Sequence, residues 1–144
     1  MSARQDHVRR MTDWTRARAP SLEAFTDIAE AAYAALPEQF RAMAGDVQMR
    51  VADFADEDVL DELEIEDAFE LTGLYQGVDL TRRSVSDPSP HPSMVFLYRR
   101  PILDEWCERG DVTLSELIGH VLVHEIGHHF GLSDDQIHAI EEAG

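Results

Sequence analysis

The chain reads as a single domain that mixes helices with a few strands. Three observations predict this. Apolar residues recur at three- and four-residue steps over 22–36 and again over 114–128, the period of a helix that buries one face. Val47, Met49 and Val51 alternate with Gln48, Arg50 and Ala52, the period of a strand. SMVFLYRR at 93–100 is a second and more apolar strand-like run. A length of 144 residues is enough to bury a core without disulfide staples.

Residues 1–20 form an arginine-rich segment, five Arg against Asp6 and Asp13, closed by Pro20. They are expected to be a flexible arm outside a folded domain over 21–144. Ser21 is placed to cap the first helix, with Glu23 in its opening turn. Leu22, Phe25, Ile28, Ala29, Ala32, Tyr33 and Leu36 form its apolar face, and Pro37 ends it. PEQFRAMAGD then predicts a short second helix ending near Gly45. After the strand at 47–52, ADFADEDVLDELEIEDAFELTG predicts one or two short helices with a solvated acidic face. It lacks the D-x-D-x-D-G spacing of a calcium loop.

GLYQGVDLTRRSVSDPSPHPS predicts an extended loop, and its stretch 76–93 is long enough to cover a cleft. Pro101 is expected to end the following strand, PILDEW to make one helical turn, and ERGD to make a turn. Thr113 or Ser115 caps the next helix, with Glu116 at the third position if Thr113 is the cap. Ser133 caps the last helix, with Gln136 completing a capping box.

The formal net charge is −17, and all 12 basic residues are arginine. Such a surface repels nucleic acid and anionic membrane. No apolar run approaches the ~20 residues of a membrane-spanning helix. The N-terminal segment lacks the apolar stretch of a secretory signal. Cys107 stands alone, so no intrachain disulfide forms, and it is expected to be a small buried side chain. These features point to a cytoplasmic protein.

The chemistry gathers at His124-Glu125-Ile126-Gly127-His128. Residues four apart on a helix share a face, with Cβ atoms ~5–6 Å apart. His124 and His128 therefore converge on a point where one zinc ion can sit. Glu125 lies one step round, where it can act as general base on a water activated by the metal. A catalytic zinc site takes a third protein ligand. Gly131 can turn the chain back, bringing Asp134 under the two imidazoles. Asp135, His138 and Glu141 are alternative third ligands. Asp134 and Asp135 also suit the first turn of the last helix as plain dipole partners. His120 lies one turn before His124 on the same face, as a further ligand or a bystander. His129 points about 100° away from His128, towards a structural role. His91 lies in the proline-rich loop.

The pattern His124-Glu125-x-x-His128-x-x-Gly131-x-x-Asp134 resembles the zincins, and among them metzincins with aspartate as third ligand. HEIGHHFGLSDDQI, GLYQGVDLTRRS and FLYRRPIL resemble the short bacterial minimal zincin family of metallopeptidases over roughly 21–142. The resemblance implies an α+β fold with a small mixed sheet beside the active-site helix. It implies His124, His128 and Asp134 as zinc ligands and Glu125 as catalytic base. One feature departs from the metzincins: no methionine follows Asp134, so their methionine turn is missing. Met43, Met49 and Met94 lie upstream as candidates for the floor of the site.

The resemblance also suggests that Met94–Arg99 binds extended peptide by strand addition, with a plain core strand as the equal alternative. Tyr75, Tyr98, Arg99 and Arg100 are candidate stabilisers of an oxyanion. The expected activity is zinc-dependent hydrolysis of peptide bonds by a monomer. Two rival readings remain: a weak or inactive metal-binding module acting through its acidic surface on a protein partner, and a hydrolase of another amide.

Overall fold

The computed structural model describes residues 14–45, 47–76 and 93–143. Among these residues, six helices and a three-stranded mixed sheet make an α+β fold. In chain order they are α1 (Leu22–Ala34), α2 (Glu38–Ala44), β1 (Val47–Ala52) and α3 (Glu57–Glu62). A 3₁₀ turn (Ala68–Glu70) then precedes β2 (Gly73–Gln76) and β3 (Ser93–Tyr98). The chain ends in α4 (Arg99–Arg109), α5 (Leu114–His129) and α6 (Asp134–Ala143). None of the described helices is long and apolar enough to cross a membrane.

Local signals set most of the boundaries. Ser21 Oγ accepts the Ala24 N–H and starts α1. Thr113 Oγ1 accepts the Glu116 N–H and starts α5. Ser133 and Gln136 exchange both bonds of the capping box, at 2.8 and 3.2 Å, and start α6. Gly45 and Gly110 take positive φ just past α2 and α4, where a Cβ would be strained.

The sheet order is β1-β3-β2, with β1 parallel and β2 antiparallel to β3. Register places Met49 and Val51 of β1 beside Val95 and Leu97 of β3. Gly73 and Tyr75 of β2 lie opposite the same two residues. All of them therefore share one face. α5 crosses it and packs on α1, β2 and β3. The core is Phe25 and Ala29 of α1, Phe40 of α2, Val95 and Leu97, and Leu117, Ile118, Leu122 and Ile126 of α5, with Ile137 of α6.

Four expectations are corrected. Gly73–Gln76 is not loop but strand, because its main chain pairs with β3. Pro101 does not end a strand ahead of a single turn. It sits buried in the first turn of an eleven-residue helix, where its missing N–H costs no intrahelical bond. Cys107 is exposed, on the outer side of α4. Leu22 is also more exposed than its place on the apolar face of α1 suggests. At the end of the N-terminal segment, the Pro20 carbonyl accepts a 2.9 Å bond from Arg99 Nη1. Residues 1–13 and most of the 76–93 loop, His91 included, lie outside the described residues.

Candidate metal centre

α5 ends in a Schellman turn. Gly131 takes φ +80°, its N–H reaches the His128 carbonyl, and the Leu132 N–H reaches the Gly127 carbonyl. The reversal lays α6 back against α5. Gly127 makes the approach close, since a Cβ there would stand 2.7 Å from two side-chain carbons of Ile137, which is fully buried. Asp134 thereby comes beside the histidines.

The donor atoms of His124, His128 and Asp134 all lie within 4.8 Å of one another. His128 Nε2 is 3.1 Å from Asp134 Oδ1 and 3.5 Å from His124 Nδ1, and the latter is 3.8 Å from the same carboxylate oxygen. Two ligands about 2.0–2.2 Å from one tetrahedral ion stand on the order of 3.3 Å apart, so this set fits zinc. The other ring nitrogen of His128 lies 3.2 Å from the Leu132 carbonyl. With Nδ1–H donating to that oxygen, the Nε2 lone pair faces Asp134. The same turn that delivers Asp134 thus orients His128. Burial pushes the His124 pKa down, and the neighbouring His120 and His128 add to this. A neutral imidazole is the form that binds a metal.

Glu125 occupies the other flank of α5. Burial pushes its carboxyl pKa up, while His128 and a hydrogen bond from the Tyr75 backbone oppose the rise. The sheet register explains that bond. Tyr98 N donates to Thr72 O, so alternate residues of β2 bond to β3, and the main-chain groups of Gly73 and Tyr75 face away from β3. Glu125 takes the Tyr75 N–H there. Gly73 lets strand and helix come close, since a Cβ would meet Val121 Cγ1 at 2.9 Å, the Phe96 carbonyl at 3.1 Å and Glu125 Cγ at 3.5 Å.

The other candidates stand apart from His128. Glu141 faces His120 at 3.9 Å, in a second donor group that also includes His124, and His138 pairs with Glu142 at 3.0 Å. Neither Asp135 nor His138 belongs to a group of metal-type donors among the described residues. His129 packs its ring on Tyr75 and Phe130. Arg99 is bound to Asp53 at 2.8 Å as well as to Pro20, which ties its guanidinium to the N-terminal side of the fold. Tyr98 stacks with Phe96, and burial with the charges of Asp56 and Glu125 raises its hydroxyl pKa. The Tyr75 hydroxyl is buried without a hydrogen-bond partner among the described residues. Met43 and Met49 pack against the core.

A family model described as a zincin-like metallopeptidase matches residues 44–143, more than half of the chain. The chain belongs to the zincin-like metallopeptidase family. No curated protein matches it. The family match starts at the end of α2, so α1 lies outside the matched span of this zincin-like chain while packing directly on its histidine-bearing helix.

Sequence reasoning passed over four contributors to the site: Gly73, the Tyr75 N–H, the Leu132 carbonyl and the Gly127–Ile137 contact. Gly127 and Leu132 sat inside the motif only as unspecified positions, and Gly73 and Tyr75 only inside the GLYQGVDLTRRS segment. Met94–Arg99 is corrected as the peptide-binding edge. β3 is the central strand, flanked by β1 and β2, and its main chain is already paired.

Proposed function

We propose that this chain is a zinc-dependent peptidase that uses Glu125 as general base, with His124, His128 and Asp134 holding one zinc ion. The observation that carries the reading is the pairing of a three-donor set with a part-buried carboxylate on the next residue of the same helix. Zinc, when bound there, supplies Lewis acidity, polarising a carbonyl and lowering the pKa of water towards ~7.

The remaining work falls to the protein. Glu125 is fixed by the Tyr75 N–H and the packing of Gly73, and its raised pKa makes it a stronger base than an ordinary carboxylate. It takes the proton of the attacking water and passes it to the departing amine. The outer edge of β2, unpaired among the described strands, offers the outward main-chain groups of Gly73 and the Tyr75 carbonyl to an extended peptide, which adds as a further strand. The substrate is thereby aligned next to Glu125. A purely structural metal site, or an inert binding module, has no use for a carboxylate held this way.

The test is Glu125→Gln, which keeps the shape and the zinc ligands but removes the base. Peptide cleavage is expected to fall by about 10²–10⁴-fold with zinc content unchanged. Equal turnover by the two proteins defeats the peptidase reading. Amide substrates other than peptides, tested side by side, separate a peptidase from a hydrolase of another amide.

A further inference from the structure

We infer that α5 and α6 build a second, alternative zinc seat from His120, His124 and Glu141, one helical step beyond the first. It rests on the reading above only in sharing His124.

The two seats follow from one antiparallel ladder. His120, His124 and His128 recur every four residues, so they line one face of α5 over ~12 Å. Asp134 and Glu141 are seven residues apart, two turns of α6 and ~10.5 Å. The Gly131 turn sets the helices running in opposite directions, so Asp134 meets His128 while Glu141 meets His120. His124 stands between, its ring 4.2 Å from that of His120 and 5.5 Å from that of His128, centre to centre.

The donor atoms of His120, His124 and Glu141 lie within 4.8 Å of one another. His120 Nδ1 and Glu141 Oε1 are 3.9 Å apart, too far for a hydrogen bond but close to the spacing of two ligands on one ion. Two imidazoles and one carboxylate select zinc over magnesium or calcium. The side chains of His120 and Glu141 are 43% and 32% exposed, so both have room to close by the last ångström. They also line a cleft of about 870 Å³ whose wall carries Glu38 and Glu116 against the single cation Arg109, a net acidic approach for a cation.

The seats exclude each other because both need the lone pair of His124. Its Nδ1 faces the first seat, and an ion in the second draws the ring away from His128. One zinc is therefore bound per chain, in either seat, and rotation of a single ring passes it between them.

The experiment reads zinc alone, in a chain whose first seat is destroyed. His128→Ala combined with Asp134→Ala is dialysed to equilibrium against micromolar free zinc and assayed for metal, with circular dichroism as the check on folding. The expected content is about one zinc per folded chain. Adding His120→Ala, Glu141→Gln or His124→Ala to that background lowers it at least ~10-fold. The proposal is overturned if the double variant binds no zinc. It is equally overturned if its zinc survives both His120→Ala and Glu141→Gln. Peptidase activity does not enter this readout, so loss of the second seat leaves the peptidase reading standing, and an inactive Glu125 leaves the seat standing.

Discussion

The two flanks of α5 stand in different surroundings. On one, His124 and His128 face α6 across a partly open gap, and the Asp134 side chain is 79% exposed. On the other, Glu125 lies against the edge of β2, with burial as the main influence on its carboxyl. The difference suits the two tasks. Metal ligands need lone pairs aimed at one point and room for water and substrate. A general base needs its pKa lifted from the ordinary carboxylate range, which takes a drier environment. One helix supplies both because adjacent residues point about 100° apart.

This division can be broken flank by flank. The largest expected effects come from the chemical groups themselves. Asp134→Ala is the counterpart of Glu125→Gln. It is expected to weaken zinc in the first seat by more than the ~10–100-fold that follows loss of an outer hydrogen-bond partner of a metal ligand. A competition assay with a chelator measures this. Full retention of affinity in Asp134→Ala moves the third ligand elsewhere.

The two glycines give the next effects, and they sharpen the contrast. Gly73→Ala drives a Cβ against the Phe96 carbonyl and Val121, and backbone cannot yield as a side-chain tip can. A loss of ~1–3 kcal/mol is expected in denaturant unfolding. Turnover should drop while zinc affinity stays, because β2 and the Tyr75 N–H move away from Glu125. Gly127→Ala presses on Ile137 instead. Overpacking there costs ~1–3 kcal/mol, and the better helix propensity of alanine returns ~1. Zinc affinity should fall in this case, because α6 and Asp134 are pushed outward. Swapped outcomes for the two variants contradict the separation of flanks. The smallest effect is that of Ser133→Ala, which removes one half of the capping box at the start of α6. About 1 kcal/mol of stability is expected to go, with a slight weakening of zinc binding.

Much of the metal flank was legible because its order is local. Four-residue spacing puts His124 and His128 on one face whatever else the chain does. Thr113, Ser133 with Gln136, and Gly131 mark the ends of α5 and α6 by their own short-range bonds. Asp134 could be named as a ligand candidate, yet sequence spacing left Asp135, His138 and Glu141 beside it. The Schellman turn separates them geometrically by the direction in which it lays α6. The strand at 47–52 was readable from its alternation. β2 was not, since its four residues are too few to show a period and the glycine and proline signals after them dominate.

What the sequence determined alone was the histidine pair, the base candidate beside it, the caps, and membership of a mixed helix-and-strand class. These rest on interactions within one or two turns of chain. The tertiary structure decided which strand borders the site, that β3 is central and β2 an edge, and that Glu125 is held by the Tyr75 N–H. It also decided that His120 meets Glu141. Those facts join residues tens of positions apart or set the packing of two helices, and local spacing alone does not encode them. They follow from how closely Gly73 and Gly127 let their neighbours approach, which is a property of the packed core.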